Sequence, residues 1–75
     1  MKLDPETGHW IGSVKWFDVE KGYGFIDRGD GTDIFCHRTS LLIDPSELAE
    51  GESVTYDVEE TVKGAQAVEV RLYQT

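Results

Sequence analysis

Residues 53–61, SVTYDVEET, change character at every step: Val54, Tyr56 and Val58 are apolar, and Thr55, Asp57 and Glu59 between them are polar. A period of two places the two sets on opposite faces of an extended strand and on no single face of a helix. AQAVEVRLYQ, residues 65–74, repeats the pattern with Val68, Val70 and Leu72. Such strands need one face covered and leave the other wet. Three earlier segments, WIGSVKWFD from Trp10, YGFIDR from Tyr23 and DIFCH from Asp33, are rich in β-branched and aromatic residues, and EKG and GDGT between them supply turn residues. A longer link, RTSLLIDPSELAEGE, separates the third strand from the fourth, with Ser46 as the predicted N-cap of one helical turn and Gly51 as its stop. Five short strands cover their apolar faces and remove their own edges by closing into a small barrel. The predicted class is all-β, a five-stranded antiparallel barrel over residues 10–75. Residues 1–9, with Pro5 and Gly8 and no apolar periodicity, read as a flexible lead-in.

Length and cysteine content narrow the function. A chain of 75 residues makes one domain and buries only about 60% of its unfolded surface, so the core is small. Cys36 is the single cysteine, which excludes an intramolecular disulfide and leaves no thiol set for zinc. MKLDPETGHW lacks the apolar stretch of a signal peptide, and no run of about 18 apolar residues exists to span a bilayer. A reducing, cytoplasmic setting without membrane contact, cofactor or metal is the expectation. Clustered carboxylates at metal spacing, or a nucleophile beside a base, are also missing, so a non-enzymatic role is expected.

The net charge of −8 argues at first against a polyanionic ligand, because phosphate binding draws on lysine and arginine. Its distribution changes that reading. Residues 10–40 hold four cations (Lys15, Lys21, Arg28, Arg38) against five acids, a net of −1, whereas residues 41–75 hold two against eight, a net of −6. The acidity is concentrated in the second half, where it favours solubility and limits indiscriminate polyanion binding.

The rings gather in the first half. In KWFDVEKGYGFIDRG, residues 15–29, four aromatic side chains stand among lysines, and glycines argue against a helix. Period two puts Tyr23 and Phe25 on one face against Gly24 and Ile26, and Phe35 and His37 on one face against Ile34 and Cys36. Val14, Ile26, Ile34 and Cys36 have the size and polarity of core residues, so Tyr23, Phe25, Phe35 and His37 are predicted to lie outside. Gly24 between two rings lets a flat partner lie across the strand or lets the backbone bend. Trp16 and Phe17 are adjacent, and a regular strand sends Trp16 inward with Val14. Both reach the outer face only if the first strand bulges near Lys15.

Exposed rings rimmed by Lys15, Lys21, His37 and Arg38 are suited to stacking unpaired bases while cations meet the phosphates. Stacking contributes about 1 to 3 kcal/mol per base and tolerates any sequence. Useful affinity then survives an acidic total, and duplexes, whose bases already stack on each other, make poor ligands. The competing reading from these residues is a small barrel that docks a protein partner on the same aromatic face.

At these residues the chain resembles the cold-shock domain, the five-stranded OB-fold barrel of bacterial cold-shock proteins and Y-box proteins. VKWFDVEKGYGFI is similar to the family's first strand and its ribonucleoprotein-type signature, DIFCHRTSL to its second signature, and KGAQAVEV to its last strand. A closed barrel gives no reason to expect more than a monomer, and the resemblance implies a protein that binds single-stranded RNA or DNA and acts as an RNA chaperone. It implies Trp16, Phe17, Tyr23, Phe25, Phe35 and His37 as stacking residues, Lys15 and Lys21 as the flanking lysines, and Asp33 as an acid that bonds a base edge. The chain departs from the family pattern at Asp18, where asparagine is common, at Arg38, where a stacking phenylalanine is usual, and at Gly64–Ala65 in place of Gly-Pro. LIDPSELAEG has no aromatic residue where many members carry one. Fewer bases engaged than in a typical member are expected.

Overall fold

All five segments read as strands pair, and the last pair returns to the first. The computed structural model describes residues 2–73. In it β1 is Lys2–Leu3, β2 Trp10–Asp18, β3 Tyr23–Asp27, β4 Asp33–His37, β5 Ser53–Thr61 and β6 Gly64–Leu72. Strands β2, β3 and β4 form an antiparallel meander, and β5 and β6 an antiparallel hairpin. The first half of β2 pairs with β5 from Trp10↔Tyr56 to Ser13↔Ser53, and β4 pairs with β6 at Phe35↔Gln66 and Cys36↔Ala67. These two pairings close the barrel. The β4–β6 pair is parallel, the one exception in a barrel that is otherwise antiparallel, as expected. A ring of five strands cannot alternate direction all the way round, so one neighbouring pair must run the same way.

The interior is the predicted one with additions from the second half. Val14, Ile26, Ile34 and Cys36 are 1–3% exposed, and Val54, Tyr56, Ala67 and Val70 are fully buried around them, with Leu48 from the link closing one side. The β6 alternation is broken, however. Thr55 pairs with Arg71 but Asp57 with Val68, so β6 carries one extra residue. Glu69 absorbs it at φ 50°, in the left-handed region that side chains other than glycine rarely adopt. The bulge puts Ala67 and Val70 inward and leaves Val68 facing out opposite Asp57, against the expectation that Val68 and Val70 share a face.

Residues 2–9, read from sequence as a flexible lead-in, fold back onto the barrel. Lys2 pairs with Ile11 and Leu3 with Trp10. Asp4 is buried, accepting from the Glu6 N–H at 3.0 Å and the Thr7 hydroxyl at 3.1 Å, and its own N–H donates to the His9 carbonyl. This turn chemistry has the Asx form that aspartate favours. Trp10, without an assigned partner in the sequence, extends β2 and packs on the core. The link holds two 3₁₀ turns, Arg38–Ser40 and Pro45–Glu47. The second is capped by Asp44, not Ser46: Asp44 Oδ1 accepts from the Ser46 N–H at 2.9 Å and its hydroxyl at 2.8 Å. Proline fits the first position of such a turn, which moves the cap one residue before it.

Two polar features of this frame are testable. The Tyr56 hydroxyl is buried and meets no hydrogen-bond partner among the described residues. An unsatisfied buried hydroxyl costs about 1 to 3 kcal/mol. Tyr56→Phe is therefore expected to stabilise the fold by about 1 kcal/mol in a denaturant titration, and a loss of stability would show that the hydroxyl is satisfied. The second feature joins the N-terminal turn to β5. His9 Nδ1 lies 2.6 Å from Asp57 Oδ1. This hydrogen bond, opposed by partial burial, holds the Asp57 carboxyl below the usual aspartate range. A depressed carboxyl stabilises the folded state above its unfolded pKa of about 4, and that contribution is lost as pH falls through the folded value. Melting curves of wild type and Asp57→Asn should differ at pH 6 and converge toward pH 2; a constant gap would mean that Asp57 ionisation does not matter.

Candidate nucleic-acid interface

The outer face of β2–β4 is built by one irregularity. Val14 pairs with Ile26 but Trp16 with Phe25, so Lys15 is an extra residue on β2. Residues directly opposite on neighbouring strands point to the same face. The bulge thus turns Trp16 outward beside Phe25, which faces Phe35 across the next pair, while Tyr23 faces His37. Trp16 is 39% exposed, and Tyr23, Phe25, Phe35 and His37 are half-buried by one another. Ring centroids are 5.4 Å apart for Trp16–Phe25, 5.7 Å for Trp16–Tyr23, 5.8 Å for Phe25–Phe35 and 5.9 Å for Tyr23–Phe35. Mixed edge and stacked contacts at these distances are favourable between rings. They also hold four flat side chains in place before any ligand arrives.

Phe17 is not part of this surface. The same bulge turns it inward opposite Gly24, and it packs against the core. That corrects its expected place among the outer rings. Gly24 is buried, and a Cβ there would collide with the Trp16 carbonyl and lie 2.6 Å from Phe17 Cα. Its role is to let β2 approach β3, not to admit a flat partner.

The polar rim divides into two ends. At one end Lys15 Nζ donates to Asp33 Oδ2 at 2.7 Å. At the other, the exposed Lys21 sits in the β2–β3 turn, where Asp18 Oδ1 accepts from its N–H at 3.0 Å. The Arg38 N–H donates to the Gly22 carbonyl at 2.8 Å, and its stem lies so close over Gly22 that a Cβ there would come within 2.8 Å of Cδ. His37 Nδ1 caps the first 3₁₀ turn, accepting from the Thr39 N–H at 3.2 Å. That fixes the ring's orientation and commits Nδ1 as an acceptor.

The sequence reading missed the continuation of the platform onto β6. Gln66 is level with Phe35, and a cleft of about 390 Å³ is lined by Phe35, Thr61, Lys63, Gly64, Ala65 and Gln66. Period two gives neither the neighbour of the last strand nor its register across a parallel pair. A larger cleft of about 580 Å³ lies between the N-terminal turn and the link, against Leu42, Ile43 and Tyr73. It is not the candidate site, since stacking needs a plane of rings and not a hollow. Other chemistry is not assembled: no metal-binding group of side chains occurs among the described residues, and burial pushes the Cys36 thiol up to about 12, which keeps it unreactive.

A family model described as the 'Cold-shock' DNA-binding domain matches residues 10–73. The chain belongs to the cold-shock domain family. It is 48% identical over 61 residues to cold shock protein CspC of Bacillus subtilis, covering 80% of this chain and 92% of that protein. Cold shock protein 2 of Lactiplantibacillus plantarum gives the same identity and coverage, and the major cold shock protein of Streptococcus pyogenes is 45% identical over 60 residues, 79% of this chain and 90% of its own length. The matched segment includes every residue of the platform and both ends of its rim.

Platform and core make opposite demands on two neighbouring phenylalanines. Phe25→Ala in this cold-shock domain should weaken binding of a short oligo(dT) by about 1 to 3 kcal/mol with the circular dichroism spectrum unchanged. Phe17→Ala should instead lower stability by about 2 to 3 kcal/mol. A reversal of the two phenotypes would mean that the faces are assigned the wrong way round.

Proposed function

We propose that this cold-shock domain binds single-stranded RNA or DNA by stacking unpaired bases on Trp16, Tyr23, Phe25 and Phe35, and acts stoichiometrically as an RNA chaperone. One observation carries the reading: the four rings stand on the outer face while the aliphatic residues of the same strands are buried. A cluster of partly exposed rings on a barrel surface marks a binding surface. His37 supplies a further flat group, and Lys21, Arg38 and Lys63 supply exposed cations. Arg38 stands at the end of the platform, where a guanidinium plane covers a base or pairs with a phosphate. The protein works as a monomer in the cytoplasm, without cofactor and without catalysis. No helix among the described residues is long and apolar enough to cross a membrane.

Titration with short oligo(dT) and oligo(U) tests this directly. Stacking should quench Trp16 fluorescence saturably, and an equivalent duplex should produce far less change. Because rings supply most of the affinity, log affinity should fall with log salt at a slope of about −2 to −3, equivalent to three or four phosphates at about 0.7 each. No saturable quench would favour a protein-docking barrel, and a slope near −6 would mean that charge and not stacking drives binding.

A further inference from the structure

Lys15 does not stand free at the rim. The β2 bulge carries it to the end of the platform where Asp27 and Asp33 oppose each other in the β3–β4 register. Carboxylates directly opposite on antiparallel strands repel. Lys15 Nζ lies between these demands, bonded to Asp33 Oδ2 at 2.7 Å, while Asp27 Oδ1 accepts from the Gly29 N–H at 2.8 Å. The hydrogen bond and charge of Asp33, followed by the charge of Asp27, hold the Lys15 ammonium above the usual lysine range. Lys21 and Arg38, at the opposite end, form no ion pair among the described residues.

We infer that Asp33 is an affinity-setting residue that competes with nucleic-acid phosphates for Lys15, so that the bound strand draws its electrostatic attraction from Lys21, Arg38 and Lys63 and not from Lys15. The inference rests on the nucleic-acid reading above. For Lys15 to reach a phosphate it must leave Asp33, which uncovers a carboxylate, opposed by Asp27, beside the incoming anion. One phosphate charge is neutralised and one protein anion is exposed, so the local charge does not change and no net counterion is released. The pair is solvent-exposed, with side-chain accessibilities of 54% for Lys15 and 33% for Asp33. Exposed pairs of this kind are weak, so the device adjusts binding without anchoring the fold. Its consequence is a ligand held mainly by rings and released readily, as a chaperone requires.

The experiment is the salt dependence of oligo(dT) binding, read from Trp16 fluorescence, for wild type, Asp33→Asn and Asp33→Asn/Lys15→Ala. Freeing Lys15 should steepen the slope by about 0.7, one additional phosphate on a single strand. Affinity should rise by about threefold at low salt, with the gain vanishing at high salt. Adding Lys15→Ala should return the slope to the wild-type value. Asp33→Ser should reproduce the steeper slope if Asp33→Asn perturbs folding, and it excludes a contribution from the new amide. Parallel salt lines for wild type and the Asp33 variants, or a steep line that survives Lys15→Ala, overturn the inference. If wild type binds and Phe25→Ala weakens binding but the lines stay parallel, only the role of Asp33 falls. If wild type shows no saturable binding, the nucleic-acid reading falls and this inference with it.

Discussion

The approach of β2 to β3 at Gly24 governs both surfaces of the barrel. The Trp16 carbonyl and Phe17 occupy the volume that any side chain at position 24 would need. With the strands this close, the extra residue at Lys15 decides which ring goes where. Phe17 enters the core over Gly24, and Trp16 leaves it to stand beside Tyr23 and Phe25. A regular β2 would bury the larger indole with Val14 and leave Phe17 outside next to Lys15. Core and platform therefore depend on the same local defect, as expected of a bulge that re-aims a side chain.

The same bulge explains how an acidic chain presents cations where they matter. It brings Lys15 against Asp33 and so removes the repulsion between Asp27 and Asp33 at one end of the sheet. Elsewhere, acids of the second half sit on β5, β6 and the link, including Glu50, Glu52, Glu59, Glu60 and Glu69, all exposed. Like charges spread over these elements keep molecules apart. Lys21 and Arg38 are then the exposed cations at its open end.

Most of the architecture was legible because period two is a strong signal wherever one face is buried. Val14, Ile26, Ile34 and Cys36 inside, with Tyr23, Phe25 and Phe35 outside, followed from alternation together with the size and polarity of the aliphatic set. The failures are local and share a cause. Phe17, Val68 and the cap at Asp44 each sit at or next to a position where the chain adds a residue or turns, and a one-residue shift inverts every side chain beyond it. The bulge at Glu69 had no sequence signal, since glutamate at φ 50° is disfavoured and held there only by its surroundings. The contacts of residues 2–9 had no sequence signal for a different reason. Two strand residues and one buried aspartate give no periodicity to detect, and their anchors, Trp10 and Asp57, lie outside the segment. Gln66 and Lys63 escaped because they join the candidate site through a parallel pairing that only three-dimensional closure creates.

A stacking surface and a charged surface respond differently to their surroundings, and that difference suits the proposed role. Counterion-driven binding grows without limit of target as phosphates accumulate, so a cationic protein of this size would coat duplex and single strand alike. Rings discriminate because a paired base has no free face to offer. On that account an acidic total is part of the selectivity. Each carboxylate near the platform, Asp33 above all, removes attraction that a duplex and a single strand would share, and leaves the attraction that only an unpaired base can use.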